Sequence, residues 1–177
     1  MQAKGRPFKI TIDFLREKFG ERKLNSFFET FPEYKNITSY SDIDWYPLDD
    51  LIALSDRADK FFGFGDHSVL IDLGKYSAEK AMESSHKLFM GSSPEAMISR
   101  AQALFSSYYS SGTMESEFKG KNRAELILKD FPLSDGIIKR ILGWMRACLK
   151  MTGAKNISVK QGPVKKGAVC FLVEWKN

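Results

Sequence analysis

The stretch Thr113-Met114-Glu115-Ser116-Glu117-Phe118-Lys119-Gly120-Lys121-Asn122-Arg123-Ala124-Glu125-Leu126-Ile127-Leu128-Lys129, with the run Ile137 to Met151 behind it, decides the fold. Met114, Ser116 and Phe118 alternate with Glu115, Glu117 and Lys119, and Ala124, Leu126 and Leu128 alternate with Glu125 and Lys129. A period of two on both sides of Gly120-Lys121-Asn122 predicts a β-hairpin, because successive strand residues point to opposite faces. Beyond it the spacing changes to three and four. Ile137, Ile138, Ile141, Leu142, Met145, Cys148 and Leu149 form the stripe of a helix that Ser134 or Asp135 can cap and Gly153 can end. The chain then returns through Ile157 and Val159, turns across Gln161 to Gly167, and leaves through Val169, Phe171, Val173 and Trp175. Residues 112–176 therefore read as hairpin, helix, hairpin, with one sheet face covered by helices.

Upstream, residues 8–111 read as mainly helical. Phe8, Ile10 and Ile12 alternate with Lys9 and Thr11, which predicts a short opening strand. A helical pattern starts at Asp13 and runs through Phe14, Leu15 and Phe19, then past Gly20 through Leu24, Phe27 and Phe28, with Gly20 dividing two helices. Thr30 to Pro47 reads as a connector pinned to the surface by Tyr34, Tyr40, Trp45 and Tyr46. Leu48 to Phe62 forms the next helix, with Asp49 and Asp50 at the positive end of its dipole. Asp66 caps a long helix carrying Leu70, Leu73, Ser77, Ala81, Ser85 and Leu88, interrupted only by Gly74. Gly91 breaks it, and Ser93-Pro94-Glu95 starts another helix that runs to Tyr108. The expectation is one α+β domain over residues 1–177, with N-terminal helices packed on a small antiparallel sheet.

With 177 residues, 43% of them hydrophobic, the chain can bury a core without metal or disulfide support. No apolar run approaches the roughly 18 residues needed to span a bilayer, and Met1 to Lys9 shows no signal-peptide pattern, so the cytoplasm is the expected compartment. The net charge of +5 is uneven, with residues 1–100 at −2 and residues 101–177 at +7. Lys139, Arg146 and Lys150, with Gly143 between them, fall along one helix face as a basic ridge. Lys160, Lys165 and Lys166 of the neighbouring hairpin extend it. Nucleic-acid reading is not expected, because neither interleaved aromatics nor a groove-entering helix accompanies the ridge.

No nucleophile elbow, zinc-protease motif, phosphate loop or dinucleotide fingerprint is present, so no catalytic residue is assigned and an enzyme is not the favoured class. Cys148 falls among apolar neighbours, the setting of an inert thiol.

Certain residues carry a resemblance that spans roughly Phe8 to Trp175. These are Trp45-Tyr46-Pro47-Leu48, Gly65-Asp66, Leu73-Gly74-Lys75-Tyr76, Tyr108-Tyr109-x-x-Gly112, Asp130-Phe131-Pro132 and Cys170-x-x-x-Glu174-Trp175. Together they resemble a myxobacterial-type paralogous bacterial family. That family is similar to the 4-vinyl reductase domain and, more distantly, to haem-nitric-oxide-binding domains and Bet3-type tethering subunits. The resemblance implies three chemistries. Zinc-bearing relatives use a Glu and Cys cluster before the strand that ends at the position of Cys170; here Val159 to Gly167 holds neither residue, and no metal site is expected. Haem relatives use an axial His and a Tyr-x-Ser-x-Arg motif; here Tyr108 to Gly112 lacks the Arg, and His86 is the only axial candidate, so no cofactor is assigned and haem stays a minor alternative.

The third implied chemistry, burial of a small apolar molecule, is the preferred one, given 14 Phe, 7 Met, 6 Tyr and 3 Trp. The candidate pocket is Phe89, Met90, Phe105, Tyr108, Tyr109, Trp144, Met145 and Cys148, on helices expected to face the sheet. The implied function is a non-enzymatic sensor or adaptor that binds such a ligand and signals to a partner protein, as a monomer or a homodimer. The alternatives are a haem-binding gas sensor, a tetrapyrrole vinyl reductase-like enzyme and a ligand-free interaction scaffold.

Overall fold

The computed structural model describes residues 1–82 and 93–176. Ser85, His86, Leu88, Phe89, Met90 and Gly91, all named above, lie outside the described residues. A short strand, β1 (Gln2–Lys4), pairs antiparallel with β2 (Trp45–Pro47). Between them lie helix α1 (Gly5–Phe19), helix α2 (Glu21–Thr30) and a 3-10 helix over Pro32–Ser39. The strand expected at Phe8-Ile10-Ile12 is instead part of α1. Pro7, Phe8, Ile10, Thr11, Ile12, Phe14 and Leu15 are all buried in this helix, which packs against α2, the 3-10 helix and two helices further along the chain. Arg6, Lys9, Asp13 and Arg16 fall at three- and four-residue spacings on its half-buried side, and the buried arc opposite is wide enough to hold Phe8, Ile10 and Ile12 together, so their alternation with Lys9 and Thr11 mimics a strand. Gly20, at φ 84°, does separate α1 from α2.

The connector is more ordered than its composition suggests. Tyr34 is buried and stacks on Phe27 with ring centroids 5.7 Å apart, so it belongs to the core rather than the surface. Tyr40 and Tyr46 stack at 3.9 Å, and Lys4 Nζ lies over the Trp45 ring.

Helix α3 (Leu48–Phe62) and helix α4 (Ser68–Met82) follow. Asp66 Oδ1 accepts hydrogen bonds from the Ser68 backbone N–H at 3.0 Å and the Ser68 hydroxyl at 2.6 Å, and these bonds hold its carboxyl below the usual carboxylate range. The helix expected from Ser93 to Tyr108 is two short ones, α5 (Pro94–Ser99) and α6 (Ala101–Ser106), broken at Arg100. No glycine or proline marks that break. Ser93 caps α5 by accepting from the Ala96 N–H.

Strands β3 (Thr113–Phe118) and β4 (Arg123–Lys129), helix α7 (Asp135–Met151), and strands β5 (Lys155–Lys165) and β6 (Ala168–Lys176) complete the chain. The four strands form one antiparallel sheet in the order β3-β4-β6-β5. Ala124, Leu126, Leu128, Val169, Phe171, Val173 and Trp175 are buried on its inner face and join the helices in one hydrophobic core. The last turn is shorter than Gln161 to Gly167. Gln161 pairs with Phe171 and Val164 with Val169, and only Lys166 and Gly167, both at positive φ, form the tip. Pro163 sits in the irregularity between them on an edge strand, where its missing N–H breaks no ladder.

Helix α4 crosses α7 backbone to backbone. A Cβ on Gly74 would overlap the Arg140 carbonyl oxygen and come within 2.7 Å of Trp144 N, and a Cβ on Gly143 would overlap the Ile71 carbonyl oxygen. Gly143 therefore faces α4 and is not part of a basic ridge. Among the described residues no helix is long and apolar enough to cross a membrane.

Alanine favours a helix over glycine by about 1 kcal/mol, but overpacking typically costs about 1–3 kcal/mol. Gly74→Ala is expected to lower the urea midpoint with the slope unchanged, and a midpoint at or above wild type would contradict this backbone contact.

Candidate functional site

Beside the close contact of α4 with α7, a cavity of about 80 Å³ lies between the helices and the sheet. Pro7 and Ile10 of α1 and Gly74 and Ser77 of α4 form one side. Met97 of α5, Ala101, Leu104 and Phe105 of α6, and Tyr108 and Tyr109 beyond it form a second. Met114 of β3 and Leu126 of β4 form the floor, and Arg140, Ile141, Trp144 and Met145 of α7 close it. The wall is mostly apolar, with Arg140, Ser77 and the two tyrosines as its polar members.

Five of the residues expected at a pocket, Phe105, Tyr108, Tyr109, Trp144 and Met145, are brought together here. Cys148 is not among the lining residues. It is buried one turn further along α7, where burial pushes its thiol well above the ordinary range. Phe89 and Met90 lie outside the described residues.

The tyrosines are held from two directions. Tyr109 packs on Phe105 and Phe131 at 4.8 and 5.0 Å, and it bridges to Ala3. The Tyr108 carbonyl accepts from Lys4 N at 2.9 Å. Burial pushes the Tyr108 phenol up to about 12, with Arg6 pulling the other way. Burial also raises Tyr109, and the charge of Arg140 opposes that rise. Both hydroxyls are neutral donors at physiological pH.

Arg140 was not anticipated. Only 5% of its surface is exposed. Its Nη1 donates to Ser55 Oγ at 3.2 Å and its Nη2 to the Pro7 carbonyl at 3.0 Å. No carboxylate is bonded to it among the described residues, and burial pulls its pKa below the ordinary guanidinium value. Its place midway between Ile137 and Trp144, at offsets of three and four, is the signal that puts it on the buried face of α7.

The basic ridge is dispersed. Lys139 Nζ donates to Gln161 Oε1 at 2.9 Å and Arg146 Nη2 to the Val159 carbonyl at 2.9 Å, so both tie α7 to edge strand β5. Lys150 stays exposed and, with Arg146, borders a separate shallow cleft at Lys155 to Ile157.

Haem does not fit the described residues. No histidine lines the cavity. His67 instead sits before α4, with Nδ1 3.2 Å from Asp59 Oδ2. His86 lies outside the described residues. A volume of about 80 Å³ is also well below the roughly 300 Å³ at which drug-sized pockets begin. Among the described residues no group of three His, Cys, Asp or Glu could hold a metal ion.

The fold is shared with H-NOX domains. The chain is similar to an H-NOX protein from K. algicida, crystallised in an Fe(II) unliganded state, with a TM-score of 0.75, 16% identity, and 98% of this chain and 97% of that chain covered. It is similar to an H-NOX protein from S. oneidensis in the Fe(II)NO ligation state, with a TM-score of 0.76, 12% identity, and 98% and 99% covered. It is also similar to an oxygen-binding H-NOX domain related to soluble guanylate cyclases, with a TM-score of 0.71, 13% identity, and 95% and 92% covered. At these identities the likeness establishes the fold alone. By residues 76–176 the chain belongs to the family described as "Protein of unknown function (DUF2378)". No curated protein matches the chain.

Both protein partners of Arg140 keep another bond without it, since Pro7 O also accepts from Thr11 Oγ1 at 2.8 Å and Ser55 Oγ donates to Leu51 O at 2.8 Å. Replacing a buried charge by a similar apolar side chain is often neutral or stabilising by about 1–4 kcal/mol. Arg140→Met is therefore expected to match or exceed wild type in urea unfolding. A loss of several kcal/mol would show that the guanidinium is a structural tie.

Proposed function

We propose that this chain is a single sensor-like domain over residues 1–177 that takes a small apolar molecule into the cavity beside the α4–α7 crossing. It performs no reaction on that molecule, and it passes occupancy to a signalling partner in the cytoplasm. The observation that carries this reading is the cavity. A close-packed core leaves few voids larger than a water, and this one gathers residues from α1, α4, α5, α6, α7 and the sheet around a single space. The sharing of a fold with H-NOX domains supports it. So does the position of the space, because Gly74, Arg140 and Trp144 belong both to the cavity wall and to the crossing. Filling the cavity therefore works directly against a contact that has no slack. A vinyl reductase acting on a tetrapyrrole would need far more room.

The test uses cyclopropane, a rigid three-carbon probe, and protein carrying 13C in its methionine methyls. Met97, Met114 and Met145 line the cavity, whereas Met1 is exposed. Saturable shifts confined to those three methyls are expected in wild type, and they should disappear in Ala101→Leu, which extends a side chain into the space. Absent shifts, or shifts spread equally to Met1, would overturn the proposal.

A further inference from the structure

We infer that the ligand of this cavity is a short alkyl carboxylate, which narrows the apolar molecule of the reading above to an apolar tail with one charged end, and that Arg140 holds that end. The inference rests on reading the cavity as the ligand site. A guanidinium has five N–H donors, and the protein takes up two of them, through Ser55 and Pro7, leaving three without a described protein acceptor. Neither of those partners is charged. The one ionisable neighbour acting on Arg140 among the described residues is the Tyr109 phenol. Asp59, a buried carboxylate on the helix that carries Ser55, accepts from the His67 backbone N–H at 3.0 Å through Oδ2 and makes no bond to Arg140.

A buried cation with no counter-charge is costly, and it stands here in the wall of a mostly apolar space. The group that fits it is a planar anion able to take two parallel N–H bonds from the guanidinium fork. The neutral phenol of Tyr109, near enough to Arg140 for their charges to interact, lines the same space. The rest of the ligand would lie against Ile141, Met145, Met114 and Leu126.

Size narrows the class. A cavity of roughly 150 Å³ accommodates the six carbons of benzene. A space of about 80 Å³ scales to roughly three carbons by that standard; with the two carboxylate oxygens held at the guanidinium in the wall, that admits the carbons of acetate or propionate and rejects a long acyl chain.

The experiment titrates the same methionine-labelled protein with propionate, with its neutral isostere propionamide, and with cyclopropane. Wild type is expected to bind propionate at least about tenfold more tightly than propionamide, the margin of a charge-assisted over a neutral hydrogen bond. Arg140→Met is expected to bind the two equally weakly while still taking up cyclopropane. Equal affinities in wild type, with cyclopropane still bound, would overturn the carboxylate inference and leave the cavity reading intact. A preference for propionate that survives in Arg140→Met would overturn the role of Arg140. Binding of none of the three would overturn both readings.

Discussion

The fold depends on one close contact, the crossing of α4 and α7 at Gly74 and Gly143. Each glycine lies against a carbonyl of the opposite helix, and neither has room for a methyl group. This brings α7 close enough to α4 to join the helical layer to the sheet, whose edge strand β5 α7 also reaches through Lys139 and Arg146. Glycine inside a helix is unfavourable by about 1 kcal/mol relative to alanine; here backbone contact over a wide buried surface offsets that cost. The cavity lies directly beside this contact, and Gly74, Arg140 and Trp144 belong to both.

Arg140 gives that cavity a chemical character. Its guanidinium, only 5% exposed and lining the space with Ile141, Met145 and Met97, gives up its hydration for two hydrogen bonds to groups that are satisfied without it. The same helix thus carries both the close contact with α4 and the buried charge in the cavity wall. On the proposed reading, a ligand's presence is coupled through them to the relation between α4 and α7.

How much of this was legible in the sequence followed from how one-sided each element is. In strands β4 and β6 and helix α7 the apolar residues keep one period throughout, so it could be read directly from Leu126, Phe171 or Ile141. In helix α1 the buried arc opposite Lys9, Asp13 and Arg16 takes in Phe8, Ile10 and Ile12, whose spacing therefore mimicked a strand. The break at Arg100 has no local signal, and the length of β5 was hidden by Gly162-Pro163, which only an edge strand accommodates. At the site, Phe105, Tyr108, Tyr109, Trp144 and Met145 were reachable because aromatic and methionine residues on inward helix faces converge. Arg140 was passed over because charge suggests solvent, although its offsets from Ile137 and Trp144 place it inside the apolar stripe. Gly74 and Gly143 were read as an interruption and as part of a ridge, since which surface a helical glycine meets depends on the partner helix and not on its own neighbours in sequence.

The most direct test of the central claim is diffraction from crystals of this protein pressurised with xenon. The expected result is a single strong xenon peak in the space bounded by Leu126, Ile141 and Met145, with the Arg140 guanidinium still bonded to Pro7 O and Ser55 Oγ beside it. Side chains closed over that space with no xenon in it, or Arg140 turned out to solvent, would contradict it.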